Sequence, residues 1–397
     1  MRFDYDLCVV GGCGHVGLPL SIMFATNGKK VCIFDINDQS LQLVSAGTMP
    51  FKEQDAEPLL QQALQEGNLT LSNSPESISR SEAVVLIIGT PVDEFLNPRL
   101  RDMKRAIDMY SPYFVAGQLL VLRSTVFPGT TEFVVKSLSR AGIEIDVAFC
   151  PERIAEGHAI KELRELPQIV SSFTASGLQR AGTLFRSLTE DIVELRPAEA
   201  ELAKLFTNAW RYLKFSVANQ FYMIANDQGL DYYAIHHALT YKYPRAQDLP
   251  TAGFAAGPCL LKDTMQLAAH YGNSFYLGQA AMLVNEGLPG YIVRSIQKTT
   301  NLAALTVGIL GMAFKAESDD TRSSLSYKLR KILEMECSEV LCTDPYVRDP
   351  GFVSAEELVR RSDLLIVGAP HHSYRDLDTA GKPVVDIWNL YAHGGLV

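Results

Sequence analysis

The chain has no excess of positive charge. Its formal net charge is −9 at pH 7 over 397 residues, so nucleic acid is a poor default partner, although a local basic site can still hold phosphates. It has no long apolar run either. The longest, Ala303 to Phe314, is too short to span a bilayer and contains Gly308 and Gly311, so no membrane association is expected. The amino-terminal segment Met1-Arg2-Phe3-Asp4-Tyr5-Asp6 carries charges and has no signal-peptide shape. The seven cysteines (Cys8, Cys13, Cys32, Cys150, Cys259, Cys337, Cys342) form no CxxC pair and no Cys/His cluster of metal-ligand spacing. No metal site is expected, and a reduced, cytoplasmic setting fits. Low-complexity stretches and Pro/Ser-rich linkers are missing too, which predicts domains packed together rather than tethered. What remains is 47% hydrophobic and 20% charged, enough for a sizeable core in two or three domains.

Short apolar runs alternate with helical patterns at the start of the chain. Leu7 to Val10 meets Gly11, Gly12, Gly14 and Gly17, and a helical pattern follows. Val31 to Phe34 ends at Asp35, Val84 to Ile88 at Gly89-Thr90-Pro91, Leu119 to Leu122 at Arg123-Ser124-Thr125, and Asp146 to Phe149 at Pro151-Glu152. This alternation predicts a parallel, doubly wound sheet, with ligands at the carboxyl ends of its strands. From Glu199 to Gly229 apolar residues recur at helical spacing for about seven turns, and helical patterns continue to about Lys298. The last third echoes the first: Leu305 to Leu310 meets Gly311, Glu339 to Cys342 ends at Asp344, and 362–370 parallels 81–91. The expected architecture is α/β, with two Rossmann-like domains (1–196 and 299–397) bridged by an all-helical domain (197–298) built on one long helix.

Five groups of residues carry candidate chemistry. Gly12-Cys13-Gly14-His15-Val16-Gly17 is a GxGxxG between a strand and a helix. Its glycines permit a tight turn and close approach of backbone N–H groups to a pyrophosphate. Asp35, at the next strand end, is placed to bind ribose hydroxyls and to repel a 2′-phosphate, which favours NAD over NADP. In Ala256-Gly257-Pro258-Cys259-Leu260-Leu261-Lys262-Asp263, Pro258 suits a helix's first position. Cys259 then falls among the unpaired N–H groups of a helix start, where a thiolate is favoured. Lys262 and Asp263 share its face, a setting for a nucleophile, although a buried structural cysteine fits the spacing as well. Lys204 and Asn208 are one turn apart on the long helix; they either line a cleft or leave the lysine solvated. Glu152, within Pro151-Glu152-Arg153 and near Glu156, stands at a strand's carboxyl end, where it could position or deprotonate a water; an exposed loop is equally compatible. Gly311-Met312-Ala313-Phe314-Lys315 with Asp319-Asp320-Thr321-Arg322 leaves the second α/β domain's first strand without a GxGxxG. There Lys315 and Arg322 either grip phosphates or are solvated.

Together these motifs, in order and over nearly the whole chain, resemble the UDP-glucose/GDP-mannose dehydrogenase family, the nucleotide-sugar 6-dehydrogenases. The resemblance further rests on Ser124-Thr125-Val126 with Pro128-Gly129-Thr130-Thr131, Glu201-Leu202-Ala203-Lys204-Leu205 with Asn208, and Asp344-Pro345-Tyr346. It implies a four-electron oxidation of a UDP-sugar's carbon 6 from alcohol to carboxylate, with two NAD⁺ used in turn. Cys259 matches the family nucleophile, forming a thiohemiacetal and then a thioester. Lys204 is implied to stabilise the oxyanion, Asn208 to hold substrate or water, and Asp263 to act in proton transfer and hydrolysis. Glu152 and Thr125 are implied to flank the nicotinamide and the reacting carbon. Val16, Asp35, Thr90, Lys262 and Arg322 fall on family NAD contacts, and Lys315 on a contact to the nucleotide-sugar.

The family usually has GGxC where this chain has Ala256-Gly257-Pro258-Cys259, and Ser171-Ser172 stand where a Gly-Gly pair is common. Pro151-Glu152-Arg153 and Tyr243-Pro244-Arg245, with Arg245 as a substrate contact, resemble members acting on UDP-N-acetylhexosamines. Ala155-Glu156-Gly157 with Lys262-Asp263 also fits the UDP-glucose branch. The resemblance further implies a homodimer or larger homo-oligomer joined through the central helices, with Leu213, Phe221 and Tyr222 suited to that face. Two other readings stay open: a two-electron dehydrogenase of the 3-hydroxyacid type, which needs no thiol, and a non-catalytic NAD-binding scaffold.

Overall fold

The structure is a computed structural model that describes residues 3–90, 93, 99–395 and 397. Pro91 of the Gly89-Thr90-Pro91 motif lies outside the described residues. The chain divides into two compact units, Met1–Phe206 and Thr207–Val397.

The first unit runs β1 (Tyr5–Val10), α1 (Gly17–Thr26), β2 (Val31–Phe34), α2 (Asp38–Ser45), α3 (Ala56–Gln65), β3 (Leu69–Ser72), α4 (Glu76–Ser79) and β4 (Ser81–Leu86). It continues with α5 (Leu100–Tyr110), β5 (Leu119–Leu122), α6 (Thr130–Arg140), β6 (Asp146–Phe149), α7 (Ala159–Glu165), β7 (Gln168–Ser172), α8 (Ala175–Phe185) and β8 (Ile192–Leu195). Among the described residues these strands form one sheet in the order β3-β2-β1-β4-β5-β6-β7-β8. All neighbours are parallel except β6 and β7. The central strands are apolar on both faces because both are covered: Leu7, Val9 and Val85 enter one core, while Cys8, Val10, Val84 and Leu86 enter the other. The expected doubly wound sheet is present, with β1 and β4 adjacent at its switch point.

Three strands go beyond the sequence expectation. β3 and β8 carry exposed positions rather than unbroken apolar runs. In β7 the serines are ladder devices: Ser171 Oγ donates to Phe149 O at 2.8 Å and Ser172 Oγ to Val147 O at 2.7 Å, fastening β7 to β6.

The long helix α9 (Pro197–Asp227) has 31 residues and contains the division between the units. The second unit continues with α10 (Tyr232–Thr240), α11 (Leu260–His270), α12 (Tyr276–Gln297), β9 (Thr306–Leu310), α13 (Leu325–Glu336), β10 (Glu339–Thr343), α14 (Ala355–Arg361), β11 (Leu364–Val367) and β12 (Val384–Val385). Its sheet is parallel, in the order β10-β9-β11-β12. Tyr222 of α9 and Leu288, Ile292 and Ile296 of α12 share one core with Val307 and Ile309 of β9 and with Leu325, Leu329 and Leu333 of α13. The oligomer-face expectation is corrected at Tyr222. This residue is fully buried within its own unit and its hydroxyl donates to Gly395 O at 2.7 Å. The exposed large hydrophobic residues of α9 in this unit are Trp210, Val217, Phe221 and Ile224. No described helix is long and apolar enough to cross a membrane.

Candidate active site

In the first unit, β1 hands the chain to α1 through the glycine turn. Gly11 has φ +75°, and a Cβ there would lie 2.1 Å from Ile87 O. A Cβ on Gly12 would meet Val9 O at 2.8 Å, and one on Gly17 would meet Gly12 Cα at 2.7 Å, so α1 packs on the turn only because both are glycine. Gly14 is different: it is exposed, and nothing stands closer than 3.7 Å to where its Cβ would be. Val16 is the N-cap residue of α1, with no side-chain cap and no acidic residue in the first turn. The start of α1 is therefore left without a side-chain cap or a nearby acidic group, which fits a pyrophosphate. At the end of β2, Asp35 is half-buried. Its Oδ2 accepts from Cys13 N at 2.9 Å and its Oδ1 from Asn37 N at 3.0 Å, so the expected ribose ligand is also a brace of the turn. The His15 ring packs on Phe51 with centroids 4.0 Å apart, and its Nδ1 is 3.7 Å from Glu156 Oε1.

The same edge of the sheet carries Thr90 and Thr125, both half-buried. Ser124 Oγ bonds both Ile88 N and Ile88 O at 2.8 Å, which locks the Thr125 loop to the chain leaving β4. Glu152 is not the solvent-facing carboxylate of an exposed loop. It is buried, its Oε2 is bonded to Arg123 Nη2, and its Oε1 accepts from Arg153 N at 2.6 Å and Ile154 N at 3.0 Å. Arg123 is fully buried. It also donates to Cys150 O and Gln168 Oε1, both at 2.9 Å, and stacks 4.7 Å from the centroid of the Phe185 ring. The one local mark of Arg123 in the sequence is that a cation directly follows an apolar strand.

On α9, Lys204 and Asn208 are buried, with exposures of 8% and 4%, so the solvated-lysine alternative does not hold. Glu201, in the same motif, is buried more deeply at 1%.

In the second unit, Cys259 is the exposed N-cap residue of α11, which begins at Leu260. The expectation that Pro258 opens the helix is thus off by two residues. Gly257, at φ +101°, still belongs to the turn, and its N–H bonds Ser323 O at 3.3 Å. A Cβ on Gly257 would come 2.7 Å from the Phe314 ring, so this glycine fastens the cysteine's loop to the Phe314-Lys315 loop. Ala256 is half-buried, with its N–H on Phe254 O at 3.0 Å.

Cys259 O accepts from Asp263 N at 2.9 Å. Asp263 has no solvent exposure; its Oδ1 pairs with Lys262 Nζ at 2.6 Å and its Oδ2 accepts from Asn208 Nδ2 at 2.5 Å. Cys259, Lys262, Asp263 and Asn208 thus form one group around the first turn of α11. Lys315 is half-buried, its Nζ 5.5 Å from the Phe314 ring centroid. Arg322 is exposed and pairs with Asp320, its Nη2 2.5 Å from Asp320 Oδ2. Arg245 is exposed beside Tyr243, its Nη1 3.3 Å from the tyrosine hydroxyl.

The second glycine turn is braced as the first is. Asp344, at the end of β10, takes both Met312 N (2.7 Å) and Ala313 N (2.9 Å) on its Oδ2, which also bonds His371 Nε2 at 3.1 Å. Asp35 holds Cys13 N in the corresponding place of the first turn; the second differs in sequence, with Met312 and Ala313 following Gly311 and no GxGxxG.

A glycine turn on an uncapped helix start, backed by an acidic strand end, defines a dinucleotide-binding domain. The chain belongs to the UDP-glucose/GDP-mannose dehydrogenase family. It matches the family's NAD binding domain over residues 6–189, its central domain over 198–287 and its UDP binding domain over 308–393. It is an NAD-dependent dehydrogenase. It is 30% identical to the UDP-N-acetyl-D-mannosamine dehydrogenase of Methanocaldococcus jannaschii over 378 residues, covering 94% of this chain and 87% of the relative. The UDP-D-ManNAc dehydrogenase structure from Pyrococcus horikoshii superposes with TM-score 0.90 at 27% identity, covering 97% and 95% of the two chains. A UDP-glucose dehydrogenase from Pyrobaculum islandicum gives TM-score 0.90 at 26% identity, covering 100% and 96%.

Proposed function

We propose that this chain oxidises carbon 6 of a UDP-N-acetylhexosamine from alcohol to carboxylate in two stages, through a covalent adduct on Cys259. The observation that carries this reading is the exposed Cys259 at the start of α11, with Asn208 hydrogen-bonded and Lys262 ion-paired to Asp263 around the same turn. The N-acetylhexosamine is favoured over glucose by Tyr243-Pro244-Arg245 and by the UDP-N-acetyl-D-mannosamine dehydrogenases among the relatives.

NAD⁺, held by Gly12, Gly14, Val16, Gly17 and Asp35, supplies the hydride acceptor. A thiol is needed because an aldehyde carbon is planar and carries no alcohol-type C–H beside an ionisable oxygen. Addition of Cys259 Sγ to the aldehyde restores a tetrahedral carbon, and the aldehyde oxygen takes a proton to become a hydroxyl. Loss of hydride and of that proton leaves a thioester. Water then adds to the thioester carbon, the C–S bond breaks, and the thiol returns as the carboxylate forms. In this scheme Lys204 stabilises the developing oxyanion. Asn208 holds substrate or water, Asp263 moves the proton of the attacking water, and Thr125 and Glu152 order the nicotinamide side. Lys262 and Arg322 contact the cofactor. Lys315 and Arg245 hold the nucleotide-sugar. Segments 1–196, 197–298 and 299–397 act as NAD-binding, central helical and UDP-sugar-binding parts of a cytoplasmic homodimer or larger homo-oligomer.

Steady-state NADH formation with separate UDP-N-acetylmannosamine, UDP-N-acetylglucosamine, UDP-N-acetylgalactosamine and UDP-glucose tests the substrate class. An N-acetylhexosamine should give the highest kcat/KM; turnover on UDP-glucose alone would overturn the assignment.

A further inference from the structure

α6 begins without a cap of its own. Its N-cap residue is Gly129, at φ +91°, which has no side chain to accept from the helix's free N–H groups. Glu201 of α9, 70 residues away in sequence, supplies the missing acceptor. Its Oε2 accepts from Gly129 N at 2.7 Å, and its Oε1 accepts from Thr131 N at 2.8 Å and from Thr131 Oγ1 at 2.6 Å. Burying a carboxylate is costly unless its oxygens are hydrogen-bonded. Three charge-assisted bonds and the positive end of α6 offset that cost.

The geometry reaches two residues of the proposed site. The loop between β5 and α6 carries Thr125. Ser124 anchors one end of it on Ile88, and Glu201 anchors the other at Gly129 and Thr131. On α9, Lys204 and Asn208 follow Glu201 by three and seven residues, so all three lie along one helix face. We infer that Glu201 is a positioning residue: it fixes the Thr125 loop against the turn of α9 that carries Lys204, and so sets where the oxyanion-stabilising ammonium stands. This inference rests on the reading of Lys204 and Thr125 as groups acting at the reacting carbon; Glu201 itself touches no reactant.

The test is a double-mutant cycle between Glu201→Gln and Lys204→Met, read as NADH formation under saturating UDP-sugar, with NAD⁺ affinity measured in parallel by titration. In Glu201→Gln one carboxylate oxygen becomes an NH₂, which in either orientation is set against a backbone N–H, that of Gly129 or that of Thr131. A displacement on the ångström scale is expected to lower kcat by roughly tenfold to a hundredfold, a larger loss than any in NAD⁺ affinity. If Glu201 acts through Lys204, Glu201→Gln costs little more once Lys204 is methionine. Thr131→Val removes only the hydroxyl bond and keeps the charge, so it serves as the milder variant should Glu201→Gln fail to fold. It should show a smaller loss with the same non-additivity. A lowered kcat in Lys204→Met together with a neutral or fully multiplicative Glu201→Gln effect overturns the positioning role. Full activity in Lys204→Met overturns instead the reading of the site on which it rests.

Discussion

Asn208 donates its side-chain amide to Asp263 Oδ2 at 2.5 Å, joining α9 to the first turn of α11 across 55 positions of sequence. The other carboxylate oxygen of Asp263 pairs with Lys262 at 2.6 Å. Asp263 has no solvent exposure, so these partners and its own backbone position determine where the carboxylate stands. Asp263→Asn removes the charge and sets an amide against the Asn208 amide. It is expected to lower kcat by about a hundredfold or more, as for loss of a general acid–base group. Rapid-mixing measurement of NADH formation checks it.

The thiols are sharply unequal. Burial pushes Cys13 and Cys150 up to about 12, and Cys337 and Cys342 up to about 11. Cys8 of β1 and Cys32 of β2 stand side by side in the sheet with next to no exposure. Cys259 alone among the seven is exposed. Brief iodoacetamide treatment of the folded protein at neutral pH should label Cys259 and abolish NADH formation in step with labelling. Peptide mass spectrometry reads the site; activity surviving complete Cys259 labelling would exclude its role as nucleophile.

Asp35 both braces Cys13 N and stands where the ribose hydroxyls are expected. Asp35→Ser should therefore weaken NAD⁺ binding and relax discrimination against NADP⁺ together. Loss of a charged hydrogen-bond acceptor corresponds to about 1.5–3 kcal/mol, roughly tenfold to a hundredfold in affinity. Titration of both dinucleotides into the variant measures the two effects separately.

Asp344 predicts a pH dependence. Burial alone would raise its pKa, but the His371 hydrogen bond and charge and the backbone N–H groups of Ala313 and Tyr346 outweigh it and bring the carboxyl from 3.8 to about 2. A carboxyl that is more acidic folded than unfolded stabilises the fold at every pH above its unfolded value. That contribution is lost as pH falls from about 4 through about 2. It amounts to about 2 kcal/mol. Urea unfolding between pH 5 and 2 should show a steeper loss of stability in the wild type than in Asp344→Asn.

Much of this site was legible in the sequence because it is local. The glycine turn, the Asp35 strand end, Lys204 with Asn208, and Cys259 with Asp263 are each written within a few residues of one element, so spacing alone groups them. The parallel strands were legible where both faces are buried and the run is unbroken, as in β1, β2 and β5. β7 was not, because Ser171 and Ser172 resemble turn residues until their hydroxyls are seen bonding the main chain of β6. Arg123 with Glu152, and Glu201 with Thr131, are joined across 29 and 70 residues. No local pattern encodes such a pair; the fold creates it. The start of α11 was misplaced for a similar reason, since the packing of Gly257 on Phe314 keeps Pro258 outside the helix.

The thioester route on Cys259 is tested most directly by counting NADH formed per UDP-sugar consumed at completion, with the product identified by mass spectrometry. Two NADH per sugar, a uronic acid product, and collapse of that turnover in Cys259→Ala are predicted. One NADH per sugar with an aldehyde or ketone released, or a Cys259→Ala enzyme that still forms two, would contradict it.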